Sequence, residues 1–88
     1  MEGDAHVDEV RAQISALDRS IFEAVNRRLE LVAELKRHKD ETGLAFVDPD
    51  RERRMLDELR AANSGPLSAE GVATLLQALL ELTKAELT

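Results

Sequence analysis

Residues 7–41 read VDEVRAQISALDRSIFEAVNRRLELVAELKRHKDE, a stretch without proline or glycine. Its apolar residues recur every three or four positions, which is the spacing of one face of an α-helix. The apolar stripe comprises Val7, Val10, Ile14, Leu17, Ile21, Ala24, Leu31 and Leu35. This pattern predicts one long helix that packs along most of its length, and Gly43 supplies a natural end.

Two shorter helices are predicted after it, each opened by a capping residue. Asp48 is a good N-cap and is followed by Pro49, while Ser68 caps the last helix. Residues 63–66, NSGP, separate the two helices. Their inner faces comprise Met55, Leu56 and Leu59 in the second helix, and Val72, Leu75, Leu76, Leu79, Leu80 and Thr83 in the third. The predicted fold is all-α, with one long and two shorter helices in a single domain over residues 1–88.

The predicted length of the first helix indicates a dimer. About 34 residues at ~1.5 Å each give a helix about 50 Å long. A compact domain of 88 residues has a diameter of only about 30 Å. The apolar stripe therefore needs a second chain, and two antiparallel copies would bury it along its length. We expect a six-helix homodimer.

Composition and charge exclude several classes of protein. The formal net charge is −6 and no basic run exceeds a pair, so a nucleic-acid partner is not expected. The chain has no cysteine, which rules out disulfides and thiolate metal sites. No apolar run approaches the ~20 residues that span a membrane, and residues 1–6 lack the features of a signal peptide. We expect a cytoplasmic protein with no membrane partner.

Arg28 interrupts the apolar stripe of the long helix. Counting along the stripe from Ile21 and Ala24, the next position is residue 28. A guanidinium there must either form a salt bridge, for example with a nearby glutamate, or bind a ligand. Lys39 lies three turns further on nearly the same face, and the two cations together can hold a small dianion. The spacing alone leaves both alternatives open.

Arg11 is too far from Arg28 to grip the same small molecule within one chain. It lies 17 residues earlier, about 25 Å along the helix axis. In an antiparallel dimer, however, Arg11 of one chain can approach Arg28 of the other. The alternative is a solvated arginine that bonds to Asp8 or Ser15.

Two polar residues share faces with the apolar residues of the shorter helices. Glu52 shares a face with Met55 and is flanked by Arg51, so it is either buried against a cation or directed into a polar cleft. Thr83, on the inner face of the third helix, either bonds back to its own helix or contacts a ligand. No Ser-His-Asp set, phosphate-binding glycine loop or metal-ligand spacing is present in the sequence.

Taken in order, these segments resemble the small all-helical chorismate mutases. The resemblance is carried by residues 10–18 (VRAQISALD), residues 27–32 (RRLELV), Lys36, Lys39 and, most strongly, residues 47–53 (VDPDRER). It implies an intertwined homodimer with two equivalent sites. It also implies an isomerase of aromatic amino acid biosynthesis, in the shikimate pathway, that rearranges chorismate to prephenate. This pericyclic reaction needs no cofactor and no metal.

The resemblance also implies a role for each candidate residue. Arg28 and the Arg11 of the other chain would hold the substrate carboxylates, and Lys39 would bond a carboxylate and the ether oxygen. Glu52 and the backbone near Asp48 would hold the ring hydroxyl. Arg51 would support the carboxylate side, and Thr83 would bond the ring carboxylate.

One position departs from the family pattern. About one turn after Thr83 the family usually places Gln or Glu, the second donor to the ether oxygen, and this chain has Leu87. We therefore expect a mutase that is weak alone, favoured by acidic pH through Glu86, or activated by a partner enzyme of the aromatic pathway. Two alternatives stay open: a non-catalytic regulatory domain of this family, and the related isochorismate pyruvate lyase.

Overall fold

The structure, a computed structural model, describes residues 4–42 and 48–88. It contains three helices, which we name α1 (Ala5–Thr42), α2 (Pro49–Ala62) and α3 (Ala69–Leu87). The predicted all-helical class with three helices is confirmed. The predicted helix end at Gly43 and the first residue of the VDPDRER segment, Val47, lie outside the described residues.

Each helix is preceded by a capping residue whose side-chain oxygen accepts hydrogen bonds from backbone N–H groups of the first turn. Asp48 accepts a hydrogen bond from the N–H of Arg51 at 3.1 Å, and the Ser68 hydroxyl accepts one from the N–H of Gly71 at 2.9 Å. Both caps were predicted. The cap of α1 is Asp4, whose carboxylate accepts bonds from the N–H groups of His6 and Val7 at 2.9 and 3.3 Å. These bonds fix the positions at which the helices begin.

Contacts divide the chain into two compact units, Met1–Leu31 and Val32–Thr88. In the first unit, most large apolar side chains of α1 are exposed within a single chain. They are Val7, Val10, Ile14, Leu17, Ile21, Phe22 and Leu31. The described part of this unit buries no apolar side chain of its own.

In the second unit, α2 packs against α3. The buried side chains are Val72, Leu76 and Thr83, all on α3, while Met55 and Leu56 of α2 are half-buried. Leu59 and Leu75, both predicted on inner faces, are 42% and 55% exposed within a single chain, so the packing of α2 on α3 does not bury them. Leu75 lies about 100° around the helix from Leu76, which takes it away from the line of buried residues.

The connection between α2 and α3 is held by side chains at both ends. The Asn63 side-chain amide donates to the C=O of Leu67 at 2.7 Å, and the Arg60 Nε donates to the C=O of Ala69 at 3.3 Å. Gly65 has a φ of +84°, a conformation that glycine adopts without steric cost. Among the described residues, no helix is both long enough and apolar enough to cross a membrane.

Candidate functional site

The first turn of α2 brings three of the predicted site residues together. Besides its bond to Arg51, Asp48 accepts a bond at its C=O from the N–H of Glu52 at 3.1 Å. Asp48 and Glu52 are half-buried, and Arg51 is exposed. A helix N-terminus carries partial positive charge, which stabilises the Asp48 and Glu52 carboxylates. The first turn of α2 therefore carries two carboxylates, of Asp48 and Glu52, and the guanidinium of Arg51.

The C-terminal segment of α1 contributes two half-buried lysines. Lys39 lies in the last turn of α1, where a cation is stabilised by the helix dipole. Lys36, one turn earlier, donates from Nζ to the C=O of Leu87 at 2.9 Å. The end of α1 is thereby tied to the last turn of α3, and both belong to the second unit.

Thr83 is the buried polar residue of α3, with a side chain only 7% exposed. Its hydroxyl donates to the C=O of Leu79 at 2.7 Å, so the bond back to its own helix that the sequence suggested is present. The hydroxyl has a single proton, so it can donate to a substrate carboxylate only when it turns away from the C=O of Leu79. Leu87 follows one helical turn later and is half-buried, whereas Glu86 is exposed.

Arg11 and Arg28 belong to the first unit. Arg11 is exposed and Arg28 is half-buried. Arg27, beside Arg28, forms an ion pair with Glu30 at 3.0 Å, and both of these side chains are 67% exposed. Arg28, Lys39 and Thr83 each have an interaction partner in the structure.

An open groove of about 760 Å³ lies between α2 and α3. Leu56, Leu76 and Leu80 line it, together with Glu52 and Glu81. Arg53 also lines the groove, but its guanidinium is paired with Asp50. Two carboxylates and one neutralised cation do not favour a dianion. Of the seven predicted site residues, only Glu52 lines the groove, so we do not assign it to the substrate.

Sequence reasoning gave no role to two features of the second unit. The first is the bond from Lys36, a residue that appeared only as part of the family pattern. The second is the groove, whose polar edge includes Gln77 and Glu81. Neither residue stands out in sequence, because Gln and Glu on an exposed helix face are ordinary. Within residues 4–42 and 48–88, no group of three or more His, Cys, Asp or Glu side chains could hold a metal ion.

Comparison with known proteins points to one family. The family model for chorismate mutase type II matches residues 10–87, a range that contains all seven predicted site residues. A curated relative, the T-protein of Haemophilus influenzae, is 33% identical over 70 residues, which are 78% of this chain. The match spans only 19% of that relative's length.

Two solved structures share the architecture. Form II of chorismate mutase from Thermus thermophilus is similar with a TM-score of 0.86 and 30% sequence identity, and the match covers 91% of each chain. Form I of the same enzyme gives a TM-score of 0.85 and 31% identity, and covers 89% of this chain and 98% of the other.

Proposed function

Because the chain belongs to the chorismate mutase type II family, we propose that it rearranges chorismate to prephenate on the route to phenylalanine and tyrosine. Its enzyme class is that of an isomerase. The observation that carries the proposal is the family match over residues 10–87, which includes all seven predicted site residues. We further propose that residues 1–88 form a single domain of this type. The predicted cytoplasmic location stays a prediction.

The proposed chemistry suits a site without a nucleophile. In this rearrangement one C–O bond breaks while one C–C bond forms within the same molecule, and no group leaves. The enzyme must fold the enolpyruvyl arm over the ring and stabilise the negative charge that develops on the ether oxygen. Catalysis then consists of orientation and preorganised electrostatics, which cations and hydrogen-bond groups on rigid helices supply.

We propose that substrate contacts are divided among the three helices. Arg28 holds a carboxylate, and Lys39 bonds a carboxylate and the ether oxygen. Glu52, with the backbone at Asp48, holds the ring hydroxyl, and Arg51 supports the carboxylate side. Thr83 bonds the ring carboxylate by turning its hydroxyl from the C=O of Leu79 towards the substrate. The half-burial of Arg28, Lys39 and Glu52 supports these roles, since partly desolvated charges interact more strongly than exposed ones.

The active unit that we propose is an intertwined homodimer in which each chain donates Arg11 to the other chain's site. The support is the row of exposed apolar side chains on α1, which includes Ile14 at 51%, Leu17 at 64% and Ile21 at 56% exposure. These residues keep the three-and-four spacing of a helix seam. A contiguous exposed apolar surface of this kind marks a protein interface.

Leu87 favours a second form of the proposal, in which the chain has little activity alone. Its half-buried side chain lies one turn from Thr83 and cannot donate a hydrogen bond to the ether oxygen. Loss of one such donor typically costs about 3 kcal/mol of transition-state stabilisation. The activity would then depend on low pH, or on a partner enzyme that reshapes the last turn of α3. A regulatory domain without turnover is the limiting case.

The test is to follow chorismate disappearance by ultraviolet absorbance from pH 5 to 8, with Arg28→Ala as the impaired control. The chain has no tryptophan or tyrosine, so protein absorbance interferes little. Turnover that Arg28→Ala lowers about tenfold or more supports the mutase. A folded dimer without turnover at any pH would exclude the free-standing enzyme. Pyruvate release from isochorismate in a parallel assay would instead identify a lyase.

A further inference from the structure

Lys36 reaches across from α1 to the end of α3. Its Nζ donates to the C=O of Leu87 at 2.9 Å, over a separation of 51 residues, in a partly buried position. Lys36 is half-buried, and it belongs to the same unit as α3. The bond therefore connects two helices that are remote in sequence.

Because its acceptor lies at the end of α3, this hydrogen bond stabilises the helix more than an ordinary surface contact would. Leu87 is the last residue of α3, and the last four C=O groups of a helix have no partner within the helix. The C-terminus also carries partial negative charge, which an ammonium group stabilises. Lys36 therefore satisfies a free carbonyl and neutralises the helix end at once, so it holds the last turn of α3 in the helical form.

That last turn is hydrogen-bonded to Thr83, a residue of the proposed site. In an α-helix the N–H of residue 87 bonds the C=O of residue 83, so fraying at Leu87 is transmitted directly to Thr83. Lys39, the cation proposed for the ether oxygen, lies one turn beyond Lys36 on α1. The Lys36 bond thus fixes the helical turn that carries Thr83 relative to the helix end that carries Lys39.

We propose that Lys36 is a positioning residue for this site, which acts through the last turn of α3 without touching the substrate. The inference rests on the proposed mutase function. Without the bond, the distance between the Thr83 hydroxyl and the Lys39 ammonium is no longer fixed. A misplacement of about 1 Å in such a site can reduce the rate by up to about a hundredfold.

The test is a double-mutant cycle of Lys36→Met with Thr83→Val, read as kcat/KM for chorismate at a temperature far below unfolding. We expect Lys36→Met to lower kcat/KM about tenfold relative to the wild type. In the Thr83→Val background, the same substitution should lower kcat/KM less than about twofold. Lys36→Arg keeps a charged donor and should retain at least half of the activity. Lys84→Met, at an exposed lysine of α3, is the control and should change nothing.

Each outcome separates this inference from the proposed function. A wild-type chain that does not turn over chorismate overturns the proposed free-standing mutase, and this inference with it. With an active wild type, a Lys36→Met effect that is absent, or equal in both Thr83 backgrounds, overturns the positioning role alone. If Lys36→Met does not fold, Lys36→Gln, which keeps a neutral donor, enters the same cycle. Faster hydrogen exchange at the C-terminal amides of α3 should accompany the loss of activity.

Discussion

The carboxylate of Asp48 is bonded to the backbone of Arg51: Oδ1 accepts a hydrogen bond from that N–H at 3.1 Å. The C=O of the same aspartate accepts one from the N–H of Glu52 at 3.1 Å. Asp48 thus closes the first turn of α2, and that turn carries three of the proposed substrate contacts. A change at this cap acts on helix stability and on site geometry together.

Two substitutions of Asp48 should separate its capping role from direct contact with the substrate. Asp48→Ala removes the cap and should lower the free energy of unfolding by about 1 kcal/mol, whereas Asp48→Ser keeps a capping oxygen and should lower it much less. We expect kcat/KM to follow the same order, with the serine variant within a few-fold of wild type. Urea unfolding with an unchanged m-value is the measurement of stability. A serine variant that is stable yet as inactive as the alanine variant would mean that the carboxylate itself contacts the substrate.

The sequence predicts features that depend on neighbouring residues better than features that depend on residues far apart in the chain. The caps at Asp48 and Ser68 are local, since donor and acceptor are three residues apart, and both predictions are confirmed. The predicted inward position of Leu75 is not met within a single chain, because which face of α3 is covered depends on how α2 packs against it, and burial by a second chain stays a prediction. The Lys36–Leu87 bond spans 51 residues, and no pattern along the chain encodes such a contact.

Among the site residues, too, those placed by local sequence were predicted, whereas the one that depends on a second chain is untested. The local pattern around Asp48 and Pro49 placed Arg51 and Glu52 in one turn, as the structure has them. The role of Arg11 depends on a second chain, so neither the sequence nor a single chain tests it. It stays a prediction, and mutant mixing is its direct test.

Replacing Arg28 should strongly lower activity while leaving the fold intact. A hydrogen bond to a charged group contributes about 1.5–3 kcal/mol, so Arg28→Ala should lower kcat/KM by about 10- to 150-fold. Arg27→Ala is a matched control, because Arg27 is adjacent but 67% exposed and paired with Glu30, and it should stay within about twofold of wild type. Steady-state kinetics on both variants measures this, with circular dichroism as the check on folding. Equal activity of the two variants would remove Arg28 from the site.

Arg11 can be tested by mixing two inactive variants. If Arg11 acts across the interface, a dimer of one Arg11→Ala chain and one Arg28→Ala chain has one site with both arginines and one with neither. Statistical exchange makes about half of the dimers mixed, so a mixture that has been unfolded and refolded together should regain roughly a quarter of wild-type activity. Each variant refolded alone serves as the control. If Arg11 acts within its own chain, no site in the mixture has both arginines and activity does not return.

Dimerisation should depend on the exposed stripe of α1. Ile14 is 51% exposed in a single chain, so Ile14→Glu should have little effect on a monomer. In the proposed dimer it buries a carboxylate without a partner, which costs several kcal/mol. We expect Ile14→Glu to shift the chain from dimer to monomer in sedimentation velocity and to remove turnover. Gln13→Glu adds the same charge at an exposed neighbour off the stripe and should remain dimeric.

Leu87 provides a gain-of-function prediction. The residue lies one turn after the buried Thr83, and its side chain is half-buried rather than directed into solvent. A donor at that position can reach the region in which Thr83 is proposed to hold the substrate. Leu87→Gln should therefore raise kcat, by up to the hundredfold or so that one oxyanion donor supplies.

The pH profile then distinguishes the two sources of a donor. Glutamine donates at every pH, so Leu87→Gln should flatten any rise in kcat towards pH 5. A rise in the wild type that comes from protonated Glu86 should disappear in Glu86→Gln, where the amide donates without protonation. If Leu87→Gln leaves turnover unchanged from pH 5 to 8, the missing donor is not what limits the rate. Because the Lys36 bond uses the backbone of Leu87 and not its side chain, this substitution leaves the anchor of α3 in place.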